Sequence, residues 1–337
     1  MGHRSFGAAF VAALVLSGLV IGTAPAATAD DGFAPGDVPL TSYGQPGPHE
    51  TAQTNEVHSC ASSPWATAMD ESYRFFGNQS HLQCTNSFPS GNELPFGVNF
   101  YYPKDIADSG PAPVVIFAPG TGQDPGWYDA SAKFWASYGY VVAMPYDLLN
   151  GLPEIGIIGV KTLSDANKDP NNPMFGKVDL GRIFFVGHSG GGGATQQNAS
   201  LPPDVYRYID PAARIIGAVP WESSPYAIGI LLNVPTMHMT GCMDVIVWHW
   251  YHPMWLQYHT TLTVPAYLAC IRGANHTKPM DAPPNNAFTT LTLAWMQYLA
   301  KDDKDAAKYF VGPAWELPRD PGVEYVFRNR LADALPE

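Results

Sequence analysis

The chain has 337 residues, of which 46% are hydrophobic, and 18 Lys plus Arg stand against 30 Asp plus Glu for a formal net charge of −12. Such a length and apolar content suit one large domain rather than two small ones. The acidic balance, with no basic run, argues against nucleic acid or anionic lipid as a partner.

The chain opens with a processing signal. His3 and Arg4 precede an apolar, small-residue stretch from Phe6 to Ile21, and Ala27-Thr28-Ala29 fits the small-x-small cleavage rule. The stretch falls short of the roughly 20 residues that a membrane span needs. Residues 1–29 are therefore expected to be a cleaved signal peptide, giving a secreted, extracellular product that begins at Asp30. No later segment is long and apolar enough to predict stable membrane insertion.

Export sets the meaning of the four cysteines, Cys60, Cys84, Cys242 and Cys270. In an oxidising compartment they suggest two disulfides, for which three pairings exist. Cys60–Cys84 and Cys242–Cys270 are preferred because each closes a short local loop. The spacings do not resemble a zinc site.

Residues 30–95 form an N-terminal extension rich in Pro, Gly, Ser, Thr and Asn. Its prolines keep the first part extended or turning. A short helix is expected over 66–76, and a Cys60–Cys84 bridge would pin the extension to the body. Regular alternation starts near Phe96, and the main domain is expected to span 96–337. Strands are predicted over 98–102, 113–117, 140–144, 182–186, 212–219, 236–239 and 265–271. Helices are predicted over 128–138, 155–167, after Ser189 and over 288–299, where Leu291, Trp295, Tyr298 and Leu299 fall on one side. Apolar strand runs separated by helices predict an α/β fold, with a mostly parallel central sheet and helices on both faces. Ligands of such sheets bind beyond the carboxyl ends of the strands.

The most informative stretch is Gly187-His188-Ser189-Gly190-Gly191, preceded by the strand-forming run Arg182–Val186. G-x-S-x-G between a strand and a helix describes a turn too sharp for side chains on both flanks. It lifts the Ser189 hydroxyl off the strand end and aims the Gly190 N–H at the place where an oxyanion would form. A serine needs a base, and the base needs an acid to fix its tautomer. His276, in Gly273-Ala274-Asn275-His276-Thr277 after the strand that ends at Ile271, is the expected base. Asp244, in the loop after 236–239, is the expected acid, with Glu222 and Asp147 as rivals that also follow strands. His188 is read as structural, and His238, within a strand, as a core residue or one that supports the site from behind. Thr121, following Ala118-Pro119-Gly120, is the candidate second oxyanion donor, each such donor being worth roughly 3 kcal/mol. No histidine–carboxylate grouping reads as a metal cluster, and the chemistry calls for no cofactor.

Together these motifs resemble the α/β-hydrolases, and more narrowly the secreted cutinase-like polyester hydrolases, with dienelactone hydrolases and chlorophyllases as wider relatives. The resemblance covers roughly 96–300. It rests on Tyr101-Tyr102-Pro103, Ala118-Pro119-Gly120, Gly187-His188-Ser189 with the glycines to Gly193, Pro220-Trp221-Glu222-Ser223-Ser224, Val234-Pro235-Thr236 and Gly273-Ala274-Asn275-His276. It implies a carboxylic-ester hydrolase with Ser189 as nucleophile, His276 as base, Asp244 as its partner, Thr121 and Gly190 as oxyanion donors, and Trp221 lining the acyl side of the cleft. The substrate partner implied is a small-molecule or polymer ester.

The chain also departs from that group. Thr121 stands where the polyester hydrolases usually carry an aromatic, and Gly190 where they usually carry methionine. Both changes strip apolar side chains from the rim, which argues against a flat aromatic polymer unit. An aromatic-rich stretch near 245–259, with Trp248 and Trp250, reads as an inserted lid or acyl-binding wall, or equally as a buried helix or dimer contact. A serine peptidase or amidase is the nearest rival activity, because the same residues serve both. A non-catalytic binding protein would lack one of them. Glycosylation patterns at Asn78, Asn198 and Asn275 read as chance matches.

Overall fold

In the computed structural model, residues 43–60, 64–75, 82–85 and 97–337 are described. The expected signal peptide and the acceptor pattern at Asn78 lie outside them. The strands are β1 (Thr51–Gln53), β2 (His58–Ser59), β3 (Gln83–Cys84), β4 (Gly97–Pro103), β5 (Ala112–Ala118), β6 (Val141–Tyr146), β7 (Val178–His188), β8 (Ile215–Trp221), β9 (Thr236–Gly241), β10 (Ala266–Ile271) and β11 (Val323–Arg328). The α-helices are α1 (Pro64–Phe75), α2 (Asp129–Ser137), α3 (Glu154–Lys168), α4 (Gly190–Ser200), α5 (Pro203–Ile209), α6 (Ala287–Lys301) and α7 (Lys304–Phe310).

Among the described residues, nine strands make one sheet in the order β1-β4-β6-β5-β7-β8-β9-β10-β11. From β6 to β10 neighbouring strands run parallel, while β1, β4 and β11 close the two edges antiparallel. Side-chain alternation divides the core between the faces. On one face Val115, Phe117, Phe184 and Val186 pack with Trp135 of α2 and Leu291 and Trp295 of α6. On the other, Val114, Ile116, Ile183 and Phe185 pack with Val160 and Leu163 of α3 and Tyr206 of α5. Full burial of each large apolar side chain contributes about 1.5–3 kcal/mol.

Three expectations change. Strand β6 does not stop at Pro145; it continues to Tyr146. Pro145 pairs with Val98 of β4, whereas the β5 register ends at Ile116↔Ala143, so the missing N–H breaks no ladder on that side. Helix α6 is buried on more than the one expected side, because α7 and the chain end cover it: Tyr298 stacks on Phe310, and its hydroxyl donates to the Pro336 carbonyl. The helices α5 and α7 and the edge strands β1 and β11 were not expected.

Both preferred disulfides are present, Cys60–Cys84 and Cys242–Cys270. The first joins the β2–β3 ribbon. Beside it Asp124 accepts from Thr85 N at 2.9 Å, Thr85 Oγ1 at 2.9 Å and Gly126 N at 2.7 Å, which ties this part of the extension to the turn leading into α2. Among the described residues, no helix is long and apolar enough to cross a membrane.

Candidate active site

Strand β7 ends at His188 and α4 starts at Gly190, so Ser189 alone makes the turn. Its φ of 55° is a conformation that L-residues rarely adopt, and its surroundings hold it there. Ser189 N donates to Trp221 O at 2.9 Å, and Ser189 O accepts from Gly193 N at 3.1 Å and Ser224 N at 3.0 Å. The turn needs a bare residue at 191: a Cβ there would lie 2.1 Å from the Ala118 carbonyl oxygen of β5.

The loops after β9 and β10 meet the turn. The Ser189 hydroxyl donates to His276 Nε2 at 3.0 Å, and His276 Nδ1 donates to Asp244 Oδ2 at 2.7 Å. The other oxygen of Asp244 accepts from Ile246 N at 2.8 Å and Val247 N at 2.9 Å, so the carboxylate is held at both ends. Asp244 is buried and Ser189 is partly exposed. The Cys242–Cys270 bridge joins the Asp244 loop to β10, the strand that leads toward His276.

Gly190 faces Thr121. A Cβ at 190 would lie 2.2 Å from Thr121 Oγ1 and 3.2 Å from Thr121 N, so the two backbones border the same space next to Ser189. Gly190 N is the first N–H of α4 and has no intrahelical acceptor. Thr121 Oγ1 donates to Leu149 O at 2.9 Å, which turns the hydroxyl toward the β6 loop. The Gly120 carbonyl accepts from Asn150 Nδ2 at 2.8 Å, and Gly120 N donates to Gln123 Oε1 at 2.8 Å. Asp147, one rival acid, accepts from Asn150 N and thereby closes the turn that supports this loop.

Other expected site residues fall elsewhere. Trp221 does not line a cleft: it is fully buried, its Nε1 donates to Thr292 Oγ1 at 3.0 Å, and its ring packs among Phe117, Trp135 and Phe288. Its place as the last residue of β8 points it into the core between sheet and α6. Trp248 and Trp250 are both exposed. Trp250 opens a π-helix, Trp250–Tyr258, and its ring stacks on Tyr325 of β11. Met254 and Tyr258 of that helix pack on Ala266 and Leu268 of β10, so the segment is packed on one side and bare on the other. His238 is core, and burial pushes it down to about 3.

Sequence reasoning missed how His188 and Glu222 are used. Glu222 follows β8 with a φ of 43° and is fully buried. Its Oε2 lies 3.1 Å from His188 Nε2 and 3.5 Å from His276 Nδ1. His188 Nδ1 lies 2.6 Å from the Tyr128 hydroxyl, which also contacts Gln123 Oε1. The rings of His188 and His276 are 4.7 Å apart. Donor atoms of His188, Glu222 and His276 all lie within 4.8 Å of one another; within the set Glu222 is hydrogen-bonded to His188, while His276 is bonded to Asp244. The sequence signal available was the titratable residue inside the G-H-S turn.

The arrangement joins a strained, accessible hydroxyl, an imidazole with a free lone pair toward it, a buried carboxylate behind the imidazole, and two backbone N–H groups beside the hydroxyl. Compared with known families, residues 87–320 match the family model described as PETase, PET hydrolase-like. No match was found among curated proteins.

Proposed function

Because the chain belongs to the PET hydrolase-like family, and so is an ester-cleaving hydrolase of the cutinase-like α/β type, we propose that Ser189, His276 and Asp244 are its catalytic triad and that it works through an acyl-serine intermediate. The observation that carries this reading is the continuous hydrogen-bonded line from Ser189 Oγ through His276 to Asp244.

The chemistry follows from the atoms. Ser189 Oγ attacks the ester carbonyl carbon while His276 Nε2 takes its proton. The carbonyl π pair moves onto oxygen, and the N–H groups of Thr121 and Gly190 donate hydrogen bonds to that oxyanion. Collapse expels the alkoxide, which leaves with the proton from His276. Water then enters, gives its proton to His276 Nε2 and attacks the acyl-serine. The second collapse releases the acid and returns the proton to Ser189. Asp244 keeps the Nδ1–H tautomer throughout and stabilises the imidazolium.

The substrate proposed is an ester with an apolar acyl part. Leu148 and Leu149 beside Thr121, and Met243, Val245 and Ile246 around Asp244, are all exposed, and they give the site an apolar rim. Trp248 extends that surface. Thr121 and Gly190 leave the rim without a large ring at either position, which favours flexible acyl chains over a rigid aromatic diacid. Export with cleavage after Ala29 is proposed from the N-terminal pattern and agrees with the paired cysteines.

The test is hydrolysis of a series of soluble esters, from short to long acyl chains and including an aromatic diester, by the mature protein and its S189A form. Activity that rises with aliphatic chain length and is lost in S189A is expected. A wild type inactive on every ester, or a clear preference for the aromatic diester, would overturn the substrate proposal.

A further inference from the structure

We propose that Glu222 is a positioning residue that works as a neutral carboxylic acid, donating its proton to His188 Nε2 and leaving Asp244 as the sole negative charge on His276. The proposal rests on the triad reading above for its kinetic consequence, but not for the protonation itself.

Hydrogen-bond directions lead to it. Gly120 N donates to Gln123 Oε1 at 2.8 Å, which fixes that end of the amide as the oxygen. The Tyr128 hydroxyl touches the same oxygen, so its single proton must point there. The Tyr128 oxygen then faces His188 Nδ1 at 2.6 Å as an acceptor, and His188 carries its proton on Nδ1. Burial holds His188 neutral, helped by the charge of nearby His276 and outweighing a backbone contact with His276; with the proton on Nδ1, its Nε2 offers a lone pair. Glu222 Oε2 sits 3.1 Å from that lone pair, a contact that needs a proton on the carboxyl.

The surroundings agree. Glu222 is fully buried, and among the described residues no Lys or Arg pairs with it. The Gly241 backbone N–H beside it favours the ionised form, and burial outweighs that contact. The ionisable groups facing it are His188 from β7, His276 from the loop after β10, Asp244 from the loop after β9, and Tyr128 ahead of α2. Burial first, and the Asp244 charge second, push the Glu222 carboxyl well above the usual carboxylate range.

The consequence falls on the base. Two ionised carboxylates around His276 Nδ1 would hold its imidazolium too firmly and shift the acidic limb of the activity profile upward. A neutral Glu222 avoids this and still links His276's neighbour His188 through Tyr128 and Gln123 to the Gly120–Thr121 backbone.

Protonation is read by infrared spectroscopy on wild-type protein with carboxyl-13C glutamate at pH 8. Glu222 is the one fully buried glutamate among the described residues, so an isotope-shifted protonated-carboxyl band is expected, and its absence would overturn the proposal. Kinetics then compare E222Q and E222L. E222Q keeps a neutral donor, and its kcat/KM should stay within about twofold and its acidic limb within about 0.3 pH unit of wild type. A downward shift of about one unit or more would mean that a charge was removed and that the proposal is wrong. E222L removes the donor without adding charge, and kcat should fall on the order of tenfold at unchanged KM. An unchanged kcat would remove the positioning role. If E222Q does not fold, the infrared band in wild type still decides. A band present in an enzyme whose activity does not depend on Ser189 would leave Glu222 neutral and sink the triad instead.

Discussion

Replacing Asp244 with Asn keeps the shape of the acid and reverses half of its hydrogen-bonding sense. Asp244 Oδ1 accepts two backbone N–H groups, from Ile246 and Val247, at 2.8 and 2.9 Å. The new amide must place its oxygen there, because its NH2 would face two donors. Its NH2 then points at His276 Nδ1, across the present 2.7 Å contact. Two donors cannot share that space, so His276 must move its proton to Nε2. In that tautomer Nε2 faces Ser189 with a hydrogen and cannot accept the serine proton. A wrong-tautomer substitution of this kind costs about 10³–10⁴-fold in kcat, equivalent to about 4–5.5 kcal/mol of barrier. The assay is steady-state hydrolysis of a soluble ester at several pH values, with near-ultraviolet circular dichroism to check that the fold is kept. Asp244→Asn activity within about tenfold of wild type would refute the reasoning. If Glu222→Gln instead lost that activity, the acid role would pass to the carboxyl 3.5 Å from Nδ1.

Other substitutions probe the supports of the site. Gly190→Ala should lower kcat about 10–100-fold, because its Cβ meets Thr121 Oγ1 at 2.2 Å and pushes an oxyanion donor away; adding Thr121→Gly should recover part of the loss, and equal activity in all variants would show that neither backbone matters. Replacing Cys242 and Cys270 with Ser opens a bridge between residues 28 apart, and chemical denaturation should show a loss of about 3.5 kcal/mol. Folded Glu222 keeps its proton above the pH where an unfolded glutamate ionises. Wild-type stability should therefore decline as pH rises from about 4.5 through neutrality relative to E222Q, measured by parallel denaturation at pH 5 and pH 8. A constant difference between the two proteins would contradict a raised carboxyl.

The parallel strands and the meeting of Ser189, Asp244 and His276 were legible because local signals carry them. The β5 and β10 runs are apolar throughout, and Ser189, Asp244 and His276 each sit just after a strand. Edge strands β1 and β11 were not legible. β1 has only three residues, and β11, Val323–Arg328, shows mixed exposure, so neither makes a strong periodic pattern. Trp221 was misplaced because the resemblance supplies a role and no direction, whereas its register opposite His188 and its contact with Thr292 bury it. Glu222 read in sequence only as a rival acid, because its partners His188, His276 and Asp244 come from three separate elements. The long-range pairing that surrounds it has no local signature.

The central claim is that Ser189 becomes acylated during turnover. The direct measurement is mass spectrometry of wild type and S189A, acid-quenched within the first turnover of an activated ester. Wild type should carry one acyl group on the peptide containing Ser189, and S189A should carry none and release no acid above background. An unlabelled wild type that still turns over, or an S189A form that hydrolyses the ester at the wild-type rate, would contradict the account.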